Sequence, residues 1–138
     1  FGKPESLHYE CNKYVNGIDL SGVLTLKYPD KVCVCVIGKD SRGMNFSYIS
    51  GERGAIVIPE QPSRLVSVQL ITPKETRELG VEQAQNAMVE EIKAFAQIIK
   101  NNDWLTYQSH VKNTEILMSC LDQARKQANI VFKADQLV

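Results

Sequence analysis

At 138 residues the chain is long enough for one independently folded core, since a domain near this size buries roughly two thirds of the surface its unfolded chain exposes. Its 16 basic residues balance its 16 acidic ones, which leaves no basic footprint for nucleic acid or for an anionic membrane surface. No apolar run reaches the length that spans a bilayer, so neither nucleic acid nor membrane is an expected partner.

The first part of the chain reads as strands. Residues 6–15 alternate Leu7, Tyr9 and Cys11 against His8, Glu10 and Asn12, the two-residue period of a half-buried strand. Asn16-Gly17 follows, a pair that accepts positive φ and so marks a hairpin. A second strand spans 20–28 and closes at Pro29-Asp30, a third spans 31–38, and a fourth spans 43–50. Gly51-Glu52-Arg53-Gly54 turns the chain into a strand at 55–58, which Pro59 stops. Residues 64–72 form the next strand up to Pro73, and a weaker one lies at 76–79.

The third strand, Val32-Cys33-Val34-Cys35-Val36-Ile37, is apolar on both faces. A sheet with one wet face would show alternation there, so a cover is expected on each side. Downstream helices can supply one, and a partner subunit or a missing domain would supply the other.

After Gly80 the apolar period lengthens. Met88, Ile92, Phe95, Ala96 and Ile99 recur at helical spacing and predict a helix over 83–100, ended by Asn101-Asn102. A second helix is predicted from the N-cap residue Ser109 to 127, with a stripe of Leu117, Leu121, Ala124 and Ala128. The connection at 103–105 is short enough to make the helices antiparallel neighbours on the sheet. The expected fold is α+β: an open, mainly antiparallel sheet with two long C-terminal helices packed on one face, in a single domain over 1–138.

Chemistry is sparse. Cys11, Cys33, Cys35 and Cys120 form no C-x-x-C pair, and His8 and His110 lie far from them in sequence. No metal site is expected, because zinc needs further ligands near any such pair. With no signal peptide in view, the thiols read as reduced core residues of a cytoplasmic protein. No G-x-G-x-x-G passes through the glycines; Gly38 and Gly43 have the spacing of a phosphate loop, but Met44 stands where its lysine belongs. His110 reads as a surface residue and His8 as facing either a pocket or solvent. Glu90 and Glu91 diverge on a helix and are no catalytic pair. The loop Lys39-Asp40-Ser41-Arg42-Gly43 carries two readings, a solvated hairpin or the rim of a ligand site. The polar approach to the first helix (Gln83, Gln85, Asn86) and Trp104 share that ambiguity. No residue is assigned as catalytic.

The order of motifs carries a resemblance. Phe1-Gly2-Lys3-Pro4-Glu5-Ser6, the strand ending Tyr28-Pro29-Asp30, the turn and strand from Gly51 to Pro59, the helix around Met88 to Phe95, and the closing helix from Ser109 to Arg125 are together similar to the C-terminal domain of the Gfo/Idh/MocA family of NAD(P)-dependent oxidoreductases. Within it the chain most resembles the dihydrodiol dehydrogenase and glucose-fructose oxidoreductase-like members. The resemblance implies a larger parent enzyme with an N-terminal Rossmann domain that binds NAD or NADP. It implies a small-molecule substrate, a sugar-like polyol or related hydroxyl compound, and a homo-oligomer formed through the open sheet face. The family's catalytic motifs precede the segment matching Phe1, so the chain alone is expected to be inactive and to bind no cofactor. By position only, Arg42, Gln85 and Asn86 are candidate substrate contacts. A stand-alone ligand-binding domain of the helix-grip type is the competing expectation.

Overall fold

The computed structural model describes residues 1–61, 65–80, 86 and 88–136. The fold is α+β, as the sequence indicates: antiparallel strands come first and two long helices follow. The strands make two sheets rather than one, and the chain divides into two compact units, Phe1–Arg42 with Trp104–Val138, and Gly43–Asp103.

The first unit contains β1 (Ser6–Lys13), β2 (Asp19–Lys27) and β3 (Val32–Gly38) in the order β1-β2-β3, all antiparallel. Leu7, Tyr9 and Cys11 stand opposite Leu26, Leu24 and Gly22. That row forms the apolar side, and the long helix of this unit (Trp104–Gln127) lies on it. The core is Leu7, Tyr9, Ala124, Ala128 and Ile130, with Cys11, Leu24, Leu26 and Cys120 packed around it. Gly22 is required here: a Cβ at that position would stand 2.7 Å from the Tyr9 hydroxyl and 2.8 Å from the Glu10 carbonyl.

β3 is the edge strand of its three-stranded sheet. Val32, Val34, Cys35, Val36 and Ile37 are all exposed and only Cys33 is half-buried. The three-stranded sheet ends at β3, with no further strand paired to it among the described residues.

The second unit is a meander of β4 (Ser47–Gly51), β5 (Gly54–Ile58), β6 (Ser67–Ile71) and β7 (Thr76–Gly80), followed by α1 (Met88–Asn101); the helix of the first unit is α2. Gly54 sits at φ 155°, and a Cβ there would come within 2.2 Å of the Ile71 carbonyl oxygen, so β5 meets β6 only with glycine at that place. The β6–β7 hairpin is fastened by the Thr72 hydroxyl, which donates to the Glu75 carbonyl at 3.0 Å and accepts from the Glu75 N–H at 3.1 Å. α1 buries none of its residues, and its stripe of Met88, Ile92, Phe95 and Ile99 is exposed.

Both helices end in the same way. Asn102 and Asn129 take left-handed φ values of 50° and 51°. Behind them, Asp103 N–H donates to the Ile98 carbonyl and Ile130 N–H to the Arg125 carbonyl, both at 3.0 Å. These are the six-to-one bonds of a Schellman cap, with Asn as the residue that best tolerates the conformation after glycine. α2 starts five residues before the expected cap Ser109. The two-residue connection Asn102-Asp103 accounts for that, because Asp103 is itself a good N-cap type directly ahead of Trp104.

Candidate functional site

The polar features of the first unit gather around β1. Gln127, the last residue of α2, turns its carboxamide onto the outer edge of β1. Its Oε1 accepts from the Tyr9 N–H at 2.9 Å and its Nε2 donates to the Leu7 carbonyl at 3.1 Å. A neighbouring parallel strand would make this same pair of contacts. Nearby, Lys13 Nζ donates to the Asn129 carbonyl at 3.3 Å.

On the same side of the sheet the Tyr9 hydroxyl donates to Asp19 Oδ2 at 2.9 Å, and Lys39 Nζ bonds both Asp19 Oδ1 and the Asp19 carbonyl at 3.1 Å. The charges follow from this chain of contacts. Lys39 holds the Asp19 carboxyl below the usual carboxylate range. Burial pushes the Tyr9 hydroxyl up to about 12, and its bond to the Asp19 carboxylate adds to that. A phenol so shifted stays protonated at neutral pH and is a poor proton-transfer group there. The chain Tyr9–Asp19–Lys39 therefore ties the start of β2 to β1 and to the end of β3. An open groove of about 620 Å³ lies along this end of the sheet, lined among others by Tyr9, Cys11, Lys13, Gly22, Ile37 and Gln127.

The Cys35 thiol is not poised as a nucleophile. Partial desolvation of this exposed side chain, with the Cys33 thiol beside it, raises the pKa of Cys35, and a raised pKa lowers the thiolate fraction on which reactivity depends. Tyr28 is buried, and burial raises its hydroxyl pKa, with Cys120 and Cys33 contributing next. Among the described residues no group of three or more His, Cys, Asp or Glu is placed to hold a metal. No helix of the described residues is long and apolar enough to cross a membrane.

The residues singled out in sequence fall in different places. Arg42 is exposed and closes the first segment of the first unit, at the end of a loop whose first residue, Lys39, is committed to Asp19. Asn86 lies in the second unit, where its Oδ1 accepts from the Met88 N–H at 3.0 Å and its carbonyl accepts from the Val89 N–H at 3.0 Å. It satisfies two free N–H groups in the first turn of α1. Gln83 and Gln85 lie outside the described residues. His8 is exposed and pairs with Glu10 at 3.3 Å, and His110 is exposed within α2. Sequence reasoning missed Tyr9, Asp19 and Gln127. Tyr9 and Asp19 had no motif to flag them, and a helix-terminal glutamine reads as solvated until its helix is placed against a strand.

An α+β chain of antiparallel strands in two sheets followed by two long helices is the class these features define. No protein-family profile matches it. Among curated proteins it is similar to scyllo-inositol 2-dehydrogenase (NADP(+)) IolU of Bacillus subtilis (strain 168), with 27% identity over 138 residues. The alignment covers 99% of this chain and 42% of the relative, so the chain spans less than half the length of the protein it matches.

The described residues do not fit a dinucleotide. Every strand pairing is antiparallel, whereas the dinucleotide cradle is a parallel β-α-β crossover with a glycine-rich turn. The first turn of α1, which follows β7 in the chain, carries Glu90 and Glu91, which disfavour a phosphate.

Proposed function

We propose that the chain is the C-terminal, substrate-side domain of a Gfo/Idh/MocA-type NAD(P)-dependent oxidoreductase acting on a sugar-like polyol. The observation that carries this reading is an alignment running end to end along the chain yet over 42% of a polyol dehydrogenase. In this reading the domain borders the substrate while another segment of the parent holds the cofactor. The relative's cofactor makes NADP the first to test, and an inositol is the first substrate.

In this reading Arg42, Gln85 and Asn86 are each candidate substrate contacts by sequence position alone, Arg42 in the first unit, Asn86 in the second, and Gln85 outside the described residues. Copies of the parent associate through the open three-stranded sheet. The test is NADPH fluorescence on the 138-residue chain and on the chain restored to its parent length. The parent is expected to bind NADPH and to oxidise an inositol, and the 138-residue chain to do neither. Tight binding by the chain alone would overturn the reading in favour of a stand-alone ligand-binding domain.

A further inference from the structure

Cys33 and Cys35 lie two places apart on β3, matched with Leu26 and Leu24 of β2. Residues directly opposite in an antiparallel pair share a face of the sheet, and Leu24 and Leu26 pack against the core beneath α2. Both thiols therefore stand on the helix side of the sheet, Cys33 half-buried and Cys35 exposed. The β2–β3 register is unbroken from Val32 to Gly38, so the ladder holds the two side chains next to each other. The Cys33 thiol is accordingly one of the groups acting on Cys35. All of these residues belong to the first unit.

A pair so placed makes a strained disulfide. Two residues along a strand span about 6.7 Å, at the far end of the Cα separations that an S–S bond closes. It also makes an incomplete zinc site, because zinc takes four ligands and no third His, Cys, Asp or Glu is placed to join the pair among the described residues. Desolvation raises the pKa of Cys35, which disfavours any product that keeps thiolate charge. The pair suits a bridge made by one added soft atom that leaves both sulfurs neutral.

We infer that Cys33 and Cys35 form a vicinal dithiol site for trivalent arsenic carrying one organic group. Soft sulfur ligands select soft acceptors. The reaction is a condensation with the arsenical in its dihydroxy form. Two S–H and two As–O bonds break, two As–S bonds form, and each thiol proton leaves with a hydroxyl as water. No electrons are transferred, and arsenic stays trivalent. The product carries no charge, so its desolvated surroundings do not penalise it as they would a thiolate. The bridging atom joins two sulfurs that are not bonded to each other, which removes the short S–S bond that this spacing strains. The raised pKa of Cys35 slows its attack, but once Cys33 has reacted the arsenical is tethered and the second bond closes within the molecule.

The site goes beyond the oxidoreductase reading and does not depend on it. Phenylarsine oxide is the probe, added to the 138-residue chain. Mass spectrometry should find a single adduct per chain, bridging Cys33 and Cys35. A dithiol should release the arsenical, and a monothiol at the same thiol concentration should not. Cys33→Ser and Cys35→Ser should each raise the dissociation constant by roughly a hundredfold or more, because one of two linked bonds is lost. Cys35 is exposed, so its serine variant tests the site without disturbing the core even where Cys33→Ser fails to fold. Cys120→Ser is the control, since Cys120 and Cys33 both act on the buried Tyr28 hydroxyl, and it should bind as the unchanged chain does. Full binding by Cys35→Ser, or release by the monothiol, overturns the site. Loss of binding in Cys120→Ser with retention in Cys35→Ser assigns the arsenical to a strand-to-helix pair and overturns it equally.

Discussion

Replacing Gln127 with leucine isolates the contribution of one carboxamide to the first unit. The change keeps side-chain volume close to native and removes both contacts with β1, leaving the Tyr9 N–H and the Leu7 carbonyl without partners. A net contribution of about 1 kcal/mol per hydrogen bond sets a loss near 2 kcal/mol, and an edge open to water reduces the penalty toward 1 kcal/mol. The expected loss is therefore about 1–2 kcal/mol, read by urea denaturation with an unchanged slope. Amide exchange gives the sharper assay. The Tyr9 N–H should exchange about tenfold faster, since ~1.4 kcal/mol corresponds to a factor of ten. The His8 N–H, turned toward β2, should change only with global stability and serves as the internal standard. Gln127→Glu keeps an acceptor for Tyr9 and loses the donor to Leu7, so it should preserve Tyr9 protection at part of the stability cost. Equal exchange of Tyr9 and His8 in Gln127→Leu would refute the assignment of the carboxamide to the β1 edge.

The remaining predictions concern the same unit and the helix ends. Tyr9 holds its proton more tightly when folded, with a pKa of about 12. Its contribution is thus complete below pH 10 and is lost as pH rises from 10 toward 12. Tyr9→Phe should cost about 1 kcal/mol at pH 7 and flatten that alkaline limb; a limb of unchanged steepness would show that another group causes it. Asp19 has the opposite sign. Its carboxyl is held low by Lys39, so its contribution is present above about pH 4 and lost as pH falls below the unfolded value, and Asp19→Asn should weaken the acid dependence measured by thermal unfolding. Gly22→Ala forces a Cβ to within 2.7–2.8 Å of the Tyr9 side chain and the Glu10 carbonyl and should destabilise by about 1–3 kcal/mol; an unchanged urea midpoint would refute the close approach. Asn102→Gly and Asn129→Gly should leave helix stability equal or higher, whereas the alanine variants should each lose about 1 kcal/mol. Circular dichroism melts separate the two.

The fold class and most strands were legible because period-two alternation and turn chemistry are local signals. Asn16-Gly17, Pro29-Asp30, Glu52-Arg53 and Pro73 all mark turns that the structure contains. Asn101-Asn102 marked the end of α1 for the reason the structure shows, a left-handed asparagine. The division into two sheets was not legible. β3 and β4 follow one another in sequence, and composition gives no sign that they lie in different sheets. The apolar valines of β3 were read as evidence of cover on both sides, and in the chain alone they are exposed; apolarity records what a surface prefers and not what lies on it. The groups around Asp19 were invisible for a related reason. Tyr9, Asp19 and Lys39 converge only once three strands are in register, and Gln127 joins them from more than a hundred residues away.

That separation has a kinetic side. Tyr9 and Gln127 are 118 positions apart, and the second unit, Gly43–Asp103, is one uninterrupted stretch between them. During synthesis the second unit has all its residues while the first still lacks its helix. Leu7, Tyr9 and Leu24 then wait, with their apolar row uncovered, until the last turn of α2 emerges. Loop closure over so long a span adds little to the equilibrium cost but delays the contact. A chain truncated before Gln127 should accordingly retain the native exchange pattern of β4 to β7 and lose that of β1. The β1–β2 hairpin is the segment most exposed to misassociation while the chain is incomplete.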